Sequence, residues 1–227
     1  MAKRLALLAD IHSNLPALKA VLVRLEQVNA DEVAFAGDLV GYYPWPNEVV
    51  FAGKRIFDHA VMGNHDYSIL TGDFRGYNPI ATQADQLNVK VMRKEALNYL
   101  SSLKITDEFY FEGFKILMVH GSPDNPLFQY VYPEYADSLK ADCDVLVLGH
   151  THIQFVKKVR GFYVVNPGSV GQPRDGNPSP ALAVMNVKGN ELSFELIRVA
   201  YNVETTIKDT LDFGYPNFIA ERLRFGM

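Results

Sequence analysis

Cysteine is nearly absent: Cys143 is the only one in 227 residues. A single thiol excludes an intrachain disulfide framework and a thiolate metal cluster. Basic charge is not in excess either, with 22 Lys and Arg against 26 Asp and Glu and a formal net charge of −4. That balance lacks the clustered positive surface that holds long nucleic acids, while leaving a short or single nucleotide open. No apolar run approaches the ~18 residues that would argue for a membrane span. The start, Met1-Ala2-Lys3-Arg4, enters an apolar segment directly, without a signal peptide's long apolar core and small-residue cleavage site. A cytoplasmic location away from membranes is therefore expected. Repeats, linkers and low-complexity stretches are missing too, so residues 1–227 are expected to form one domain, large enough to bury a full core.

What is present begins at Leu5-Ala-Leu-Leu-Ala9, an apolar run too short for a helix and suited to a strand buried on both faces. Asp10 and His12 follow. Two residues apart on an extended chain, their side chains point the same way and can grip one object. A carboxylate with an imidazole suits a first-row transition metal; a polar strand end before a helix cap is the plainer alternative. Asn14 then caps a helix with Pro16 in its first turn and Leu18, Val21, Leu22, Leu25 and Val28 on one face. A strand over residues 32–37 stops at Asp38, completing a βαβ unit that starts the sheet parallel. Tyr42, Tyr43 and Trp45, spaced by prolines, make a stiff aromatic loop that either walls a pocket or packs on a core edge.

Further along, a strand over 58–62 ends in Gly63-Asn64-His65-Asp66, and residues 71–79 read as loop. One or two helices are expected over 80–102, and a hairpin over 108–119 that ends in His120-Gly121. A short helix is expected over 133–140. A buried strand over 145–148 ends in Gly149-His150-Thr151-His152, four more strands follow to residue 198, and two helices form the tail. Five strand ends thus carry Asp-x-His, Gly-Asp, Gly-Asn-His-Asp, His-Gly and Gly-His-x-His. In an open α/β sheet the carboxyl ends of strands are where ligands bind. Five of the six histidines fall there, and His59, at a strand start, reads as structural.

These five ordered blocks, from Asp10 to about Arg174, resemble the motifs of the calcineurin-like metallophosphoesterases. The resemblance implies an α/β fold in which a two-sheet β-sandwich is flanked by helices, a four-layer α/β/β/α arrangement. It implies that Asp10, His12 and His152 hold one metal ion, that Asn64, His120 and His150 hold another, and that Asp38 bridges them. It gives His65 the task of assisting the leaving group, with Asp66 placed to orient it. Nitrogen and oxygen ligands without sulfur favour manganese, iron, cobalt, zinc or nickel over calcium. Two ions ~3.5–4 Å apart can generate a bridging hydroxide that attacks phosphorus in line.

The turn Asn166-Pro-Gly-Ser-Val-Gly-Gln-Pro-Arg174 is similar to that of a small bacterial and archaeal branch containing phosphodiesterases and dinucleoside polyphosphate hydrolases. Gly168, Ser169 and Gly171 would let main-chain N–H groups approach an anion, and Arg174 could hold a phosphate through two parallel bonds. A tight turn between strands is the alternative. Asn14 could reach a phosphate oxygen besides capping its helix, and Tyr43 could offer a stacking face to a base. The expected function is a two-metal phosphoester hydrolase acting on diesters, small nucleotides or diadenosine tetraphosphate. A phosphomonoesterase is the runner-up, and a non-catalytic scaffold of the same fold is the rival from another class. The residues leave the oligomeric state open, a homo-oligomer included.

Overall fold

The computed structural model describes residues 2–227. In chain order it contains β1 (Lys3–Leu8), α1 (Leu15–Val28), β2 (Glu32–Phe35), α2 (Pro46–Ile56), β3 (His59–Ala60), α3 (Asn64–Thr71), α4 (Pro79–Val91) and α5 (Lys94–Ser102). There follow β4 (Thr106–Phe111), β5 (Phe114–Val119), β6 (Val145–Val147), β7 (Phe155–Val159), β8 (Phe162–Asn166), β9 (Ala181–Lys188), β10 (Glu191–Arg198), α6 (Val203–Asp212) and α7 (Asn217–Glu221). Short 3-10 turns occupy Pro133–Ser138 and Arg222–Phe225. No helix of the described residues is long and apolar enough to cross a membrane.

The strands form two five-stranded sheets, ordered β10-β9-β1-β2-β3 and β4-β5-β6-β8-β7. β1, β2 and β3 run parallel, with β9 and β10 antiparallel at one side. In the second sheet β5, β6 and β8 run parallel between antiparallel β4 and β7. The period-2 alternation of β1 explains how the layers join. Leu5 and Leu7 meet Ile116, Met118, Val145 and Val147 between the sheets, while Ala6 and Leu8 face Leu18, Val21 and Val49 of α1 and α2. Both faces are fully buried, as an uninterrupted apolar run requires.

The expected two-sheet sandwich is therefore present. Its fourth layer is thin: the outer face of the second sheet is covered mainly by the 3-10 turn and nearby loops rather than by an α-helix. The expected strand over 58–62 shrinks to β3, with Val61 bridging Lys104 beside it. The polar run after it opens α3, which was not foreseen. Asp66 sits three residues into that helix and accepts from the Gly63 N–H at 3.0 Å, an N-terminal stop that the glycine cap concealed.

Candidate metal centre and the cavity beside it

The parallel strands all point their carboxyl ends to one side, so the polar residues that follow them converge. Asp10 and His12 follow β1, Asp38 follows β2, Asn64 and His65 open α3, His120 follows β5, and His150 and His152 follow β6. All are buried. The His12 and His152 Nε2 atoms lie 3.1 Å apart, and His152 Nε2 lies 3.4 Å from Asp10 Oδ1. Asp38 Oδ2 is 3.6 Å from His12 Nε2 and 3.2 Å from His120 Nε2, and His120 Nε2 is 3.0 Å from Asn64 Oδ1. Asp10, His12 and His152 form one group able to hold an ion; Asp38, His120 and His150 form a second.

The main chain around them is held in conformations that side chains seldom adopt. Asp10, His12, Asp38, His150 and His152 have φ of 54°, 51°, 61°, 68° and 60°. Non-glycine residues in this left-handed region cost about 1–3 kcal/mol each and persist only when the surroundings over-determine them. Here the loops after β1 and β2 are zipped together, Asp10 N–H to Gly37 O at 2.9 Å, His12 N–H to Asp38 O at 3.1 Å and Ser13 N–H to Leu39 O at 3.0 Å. Gly63 lies so close to Asp38 that a Cβ there would sit 2.1 Å from the carboxylate.

Hydrogen bonds also set the imidazole tautomers. The Nδ1–H groups of His12, His120 and His152 donate to the carbonyls of Val40, Ala36 and Gln172 at 3.2, 2.8 and 2.5 Å. The Nε2 lone pairs of His12 and His152 are thereby aimed at each other, which is repulsive unless a cation lies between them, while His120 Nε2 faces Asp38 Oδ2 and Asn64 Oδ1. His150 instead uses Nε2–H on the Phe128 carbonyl at 3.2 Å, which leaves Nδ1 for the centre. Asp38 Oδ1 accepts the His65 main-chain N–H at 2.8 Å, turning Oδ2 toward the histidines. Burial lowers His150 to about 3 and holds His12 and His152 well below the usual imidazole range, keeping them neutral as metal ligation requires. Burial opposes charge on His120 too, but Asp38 outweighs it and raises the imidazole to about 9. Asp10 is pushed up to about 7 by burial, whereas His120 and His65 overcome burial at Asp38 and hold it well below the carboxylate range. The donor set of nitrogens and carboxylate or amide oxygens, with no sulfur, fits two first-row divalent cations.

His65 stands beside the centre, its ring 5.0 Å from that of His12 and flanked by Tyr42 and Tyr77. Asp66 does not orient it. The Asp66 carboxylate instead accepts from the N–H groups of Asp38, Leu39, Val40 and Gly63 at 2.9–3.0 Å. The next residue of a helix points about 100° away, so the third residue of α3 reaches back over the Asp38 loop while His65 faces the centre. The partner of His65 is Asp85 on α4, whose Oδ2 lies 2.6 Å from Nδ1. Burial would lower the His65 pKa, but Asp85 and Asp38 outweigh it and raise the imidazole. A carboxylate on the buried stripe of an amphipathic helix was the signal available for Asp85.

A cavity of about 540 Å³ opens on Asn64, His65 and His150 and is lined further by Tyr42, Tyr130 and Arg174. Of the three expected substrate contacts only Arg174 reaches it. Asn14 is fully buried; it accepts from Ala17 N–H at 3.2 Å and Thr206 Oγ1 at 3.1 Å and donates to Gly171 O at 2.8 Å. Tyr43 is fully buried as well, its hydroxyl held by Gln172 Nε2 at 2.9 Å and Ile219 O at 3.3 Å, so no base can stack on it. The aromatic that does line the cavity is its neighbour Tyr42. The turn after Asn166 is not an anion cradle. Val170 and Gly171 donate their N–H groups to Ala9 O and Asp10 O at 3.0 and 2.9 Å, and Ser169 Oγ donates to Asp10 O at 2.7 Å. A Cβ on Gly171 would come within 1.8 Å of Ile11 O, so this glycine serves the clamp on the Asp10 loop.

Residues 4–190 match the family model described as the calcineurin-like phosphoesterase superfamily domain. An uncharacterized protein of Methanocaldococcus jannaschii is 33% identical over 239 residues, covering 98% of this chain and 98% of that one. The crystal structure of a metallophosphoesterase from Sphaerobacter thermophilus covers 100% of both chains at 30% identity with a TM-score of 0.84. The phosphodiesterase YfcE of Escherichia coli is 26% identical over 178 residues, 78% of this chain and 84% of its own.

Proposed function

This chain belongs to the calcineurin-like phosphoesterase superfamily and is a metal-dependent phosphoesterase, and we propose that its substrates are phosphodiesters of small nucleotides or dinucleoside polyphosphates. Asp10, His12 and His152 would hold one ion, Asn64, His120 and His150 the other, with Asp38 shared. Manganese, iron, zinc, cobalt and nickel all suit this donor set. When bound, such ions supply Lewis-acid neutralisation of the phosphoryl group and activation of water.

The chain's own groups do the rest. His65, its imidazole raised by Asp85 and Asp38 against burial, stands at the cavity and would donate its proton to the departing oxygen. Arg174, held by Gln172 Oε1 at 2.7 Å and by the Tyr42 hydroxyl at 3.3 Å, presents its guanidinium to a phosphate oxygen. Tyr130, stacked 3.8 Å over His150, supplies an aromatic wall for the organic part of the substrate.

The single observation that supports a diester over a monoester is the cavity. About 540 Å³ next to the centre is far more than one phosphoryl group needs and falls within the range of small-molecule sites. The test is kcat/KM for the metal-reconstituted protein across monoesters, diesters and dinucleoside polyphosphates. Diesters or dinucleotides should rank first; a clear preference for simple monoesters would overturn the reading.

A further inference from the structure

The family match ends at residue 190, and α6, α7 and the turn Arg222–Phe225 lie beyond it. They are firmly built in. Ile207, Ile219, Ala220 and Leu223 are buried in one cluster with Tyr42, Tyr43, Ala81 and Ala84. Arg224 holds Glu204 through two bonds of 2.7 Å, and Gly176 donates its N–H to Gly226 O at 3.0 Å, fastening this segment to the turn that carries Arg174. The platform places Phe218 and Arg222 on the wall of the same cavity that exposes His65 and Arg174.

Arg222 is held by main chain and by an aromatic ring rather than by an acidic side chain. Its Nε donates to the Met227 main-chain oxygen and its guanidinium carbon lies 5.4 Å from the Phe218 ring centre, but no Asp or Glu side chain among the described residues pairs with it. Arg174 likewise bonds to neutral side chains, Gln172 and Tyr42, while the charge of Asp10 in the metal centre acts on it from a distance. Burial first, then Arg174, pulls the Arg222 pKa below the usual arginine range, as expected when like charges share a confined space. The third arginine on the cavity, Arg75, is different, since it is already paired with Asp73 at 2.6 Å. Two half-buried guanidiniums on one cavity wall, with no Asp or Glu side chain among the described residues bridged to either, form a cradle for a dianion beside a phosphoesterase centre.

We propose that Arg222 and Arg174 together bind a second phosphate, one that is not being hydrolysed, and so make substrates with two or more linked phosphates the preferred class. This rests on the phosphoesterase reading of the adjacent centre and adds a specificity residue from outside the family match. Arg222 touches no proposed metal ligand, so it would act on substrate selection and leave the chemical step on small diesters alone.

The experiment compares wild type, Arg222→Gln and Arg222→Lys, all metal-loaded, with two probes and two substrates. Inorganic tripolyphosphate and orthophosphate are titrated by calorimetry; diadenosine tetraphosphate and bis(p-nitrophenyl) phosphate are assayed for kcat/KM. Losing one charge-assisted contact should weaken tripolyphosphate about 10- to 100-fold in Arg222→Gln and leave orthophosphate within about twofold. The dinucleotide should lose kcat/KM by a similar factor and the nitrophenyl diester should not, with Arg222→Lys recovering part of the loss. Equal losses on both substrates, or unchanged tripolyphosphate affinity, would overturn the subsite. If wild type cleaves no phosphoester of any class, the reading of the centre fails instead, and the calorimetric comparison still decides the subsite.

Discussion

Asp85→Asn removes one negative charge from the group that faces His65 Nδ1 at 2.6 Å and keeps the side chain's shape. The amide oxygen can still accept from His65 Nδ1–H, its NH2 then facing the Tyr42 main-chain N–H that Asp85 Oδ1 accepts at 3.2 Å, so one long bond is lost and the fold should survive at a modest cost. What disappears is the stabilisation of a protonated imidazole. A hydrogen bond to a charged group is worth ~1.5–3 kcal/mol, which at ~1.4 kcal/mol per decade is about a 10- to 150-fold loss in rate where that proton is needed. The ceiling is His65→Ala, for which removal of a general acid costs about 10²–10⁴. The assay is kcat on two diesters sharing one phosphate environment, one with a nitrophenolate leaving group and one with an alkoxide. The alkoxide should suffer most of the loss, because nitrophenolate departs without a proton. Metal content should be unchanged, since Asp85 bonds none of the proposed ligands. Equal losses on both diesters would refute the general-acid role of the Asp85–His65 pair, and full activity on the alkoxide would refute the pair altogether.

Asp38→Asn takes away the shared charge between His12 and His120, so bound metal measured by elemental analysis should fall and activity collapse; two retained ions with near-normal turnover would refute the shared site. Asp66→Ala would strand four main-chain N–H donors around the Asp38 loop, at ~1–3 kcal/mol for each left dry, so the melting temperature should drop well beyond that of Asp85→Asn. Gly171→Ala forces a methyl group onto Ile11 O and should cost both stability and metal affinity, read by thermal melts and metal titration. Burial pushes the half-buried Cys143 thiol up to about 11, so at pH 8 only about one molecule in a thousand is thiolate. Native iodoacetamide labelling should be slow at pH 8 and quicken toward pH 11.

The residues that end strands were legible because one short apolar run followed by Asp, His or Asn is a local pattern. It needs no knowledge of partners. Asp10, Asp38, His120 and His152 come together in the fold for that reason. Asp85 was hidden by the opposite circumstance. It lies in a helix whose polar and apolar positions read as an ordinary amphipathic stripe, and only the crossing of α4 over α3 brings it to His65. Asn14 and Tyr43 misled because adjacency in sequence to a ligand says nothing about which way a side chain faces after a turn with left-handed residues at 10, 12, 13 and 42. Asn88, likewise unsuspected, accepts from Ser13 Oγ and Gly41 N–H at 2.8 and 3.1 Å and donates to Tyr43 O at 2.9 Å, joining loops that are remote in sequence.

The five left-handed residues around the centre have a consequence for how this protein breathes. At about 1–3 kcal/mol each, the conformational cost they would recover by relaxing is of the same order as the stability of a whole domain. Loops that carry function are ordinarily the first parts of a protein to open. Here any loosening would release that cost, so the strain favours local opening and the bonds that zip the two loops together oppose it. The ligand loops should therefore open ahead of β1 and β2 beneath them. The amides of Asp10, His12 and Ser13, each donating across to the neighbouring loop, should exchange hydrogen with deuterium faster than the innermost sheet amides do, and faster still with chelator present. The active centre would then be among the first parts of the molecule to melt.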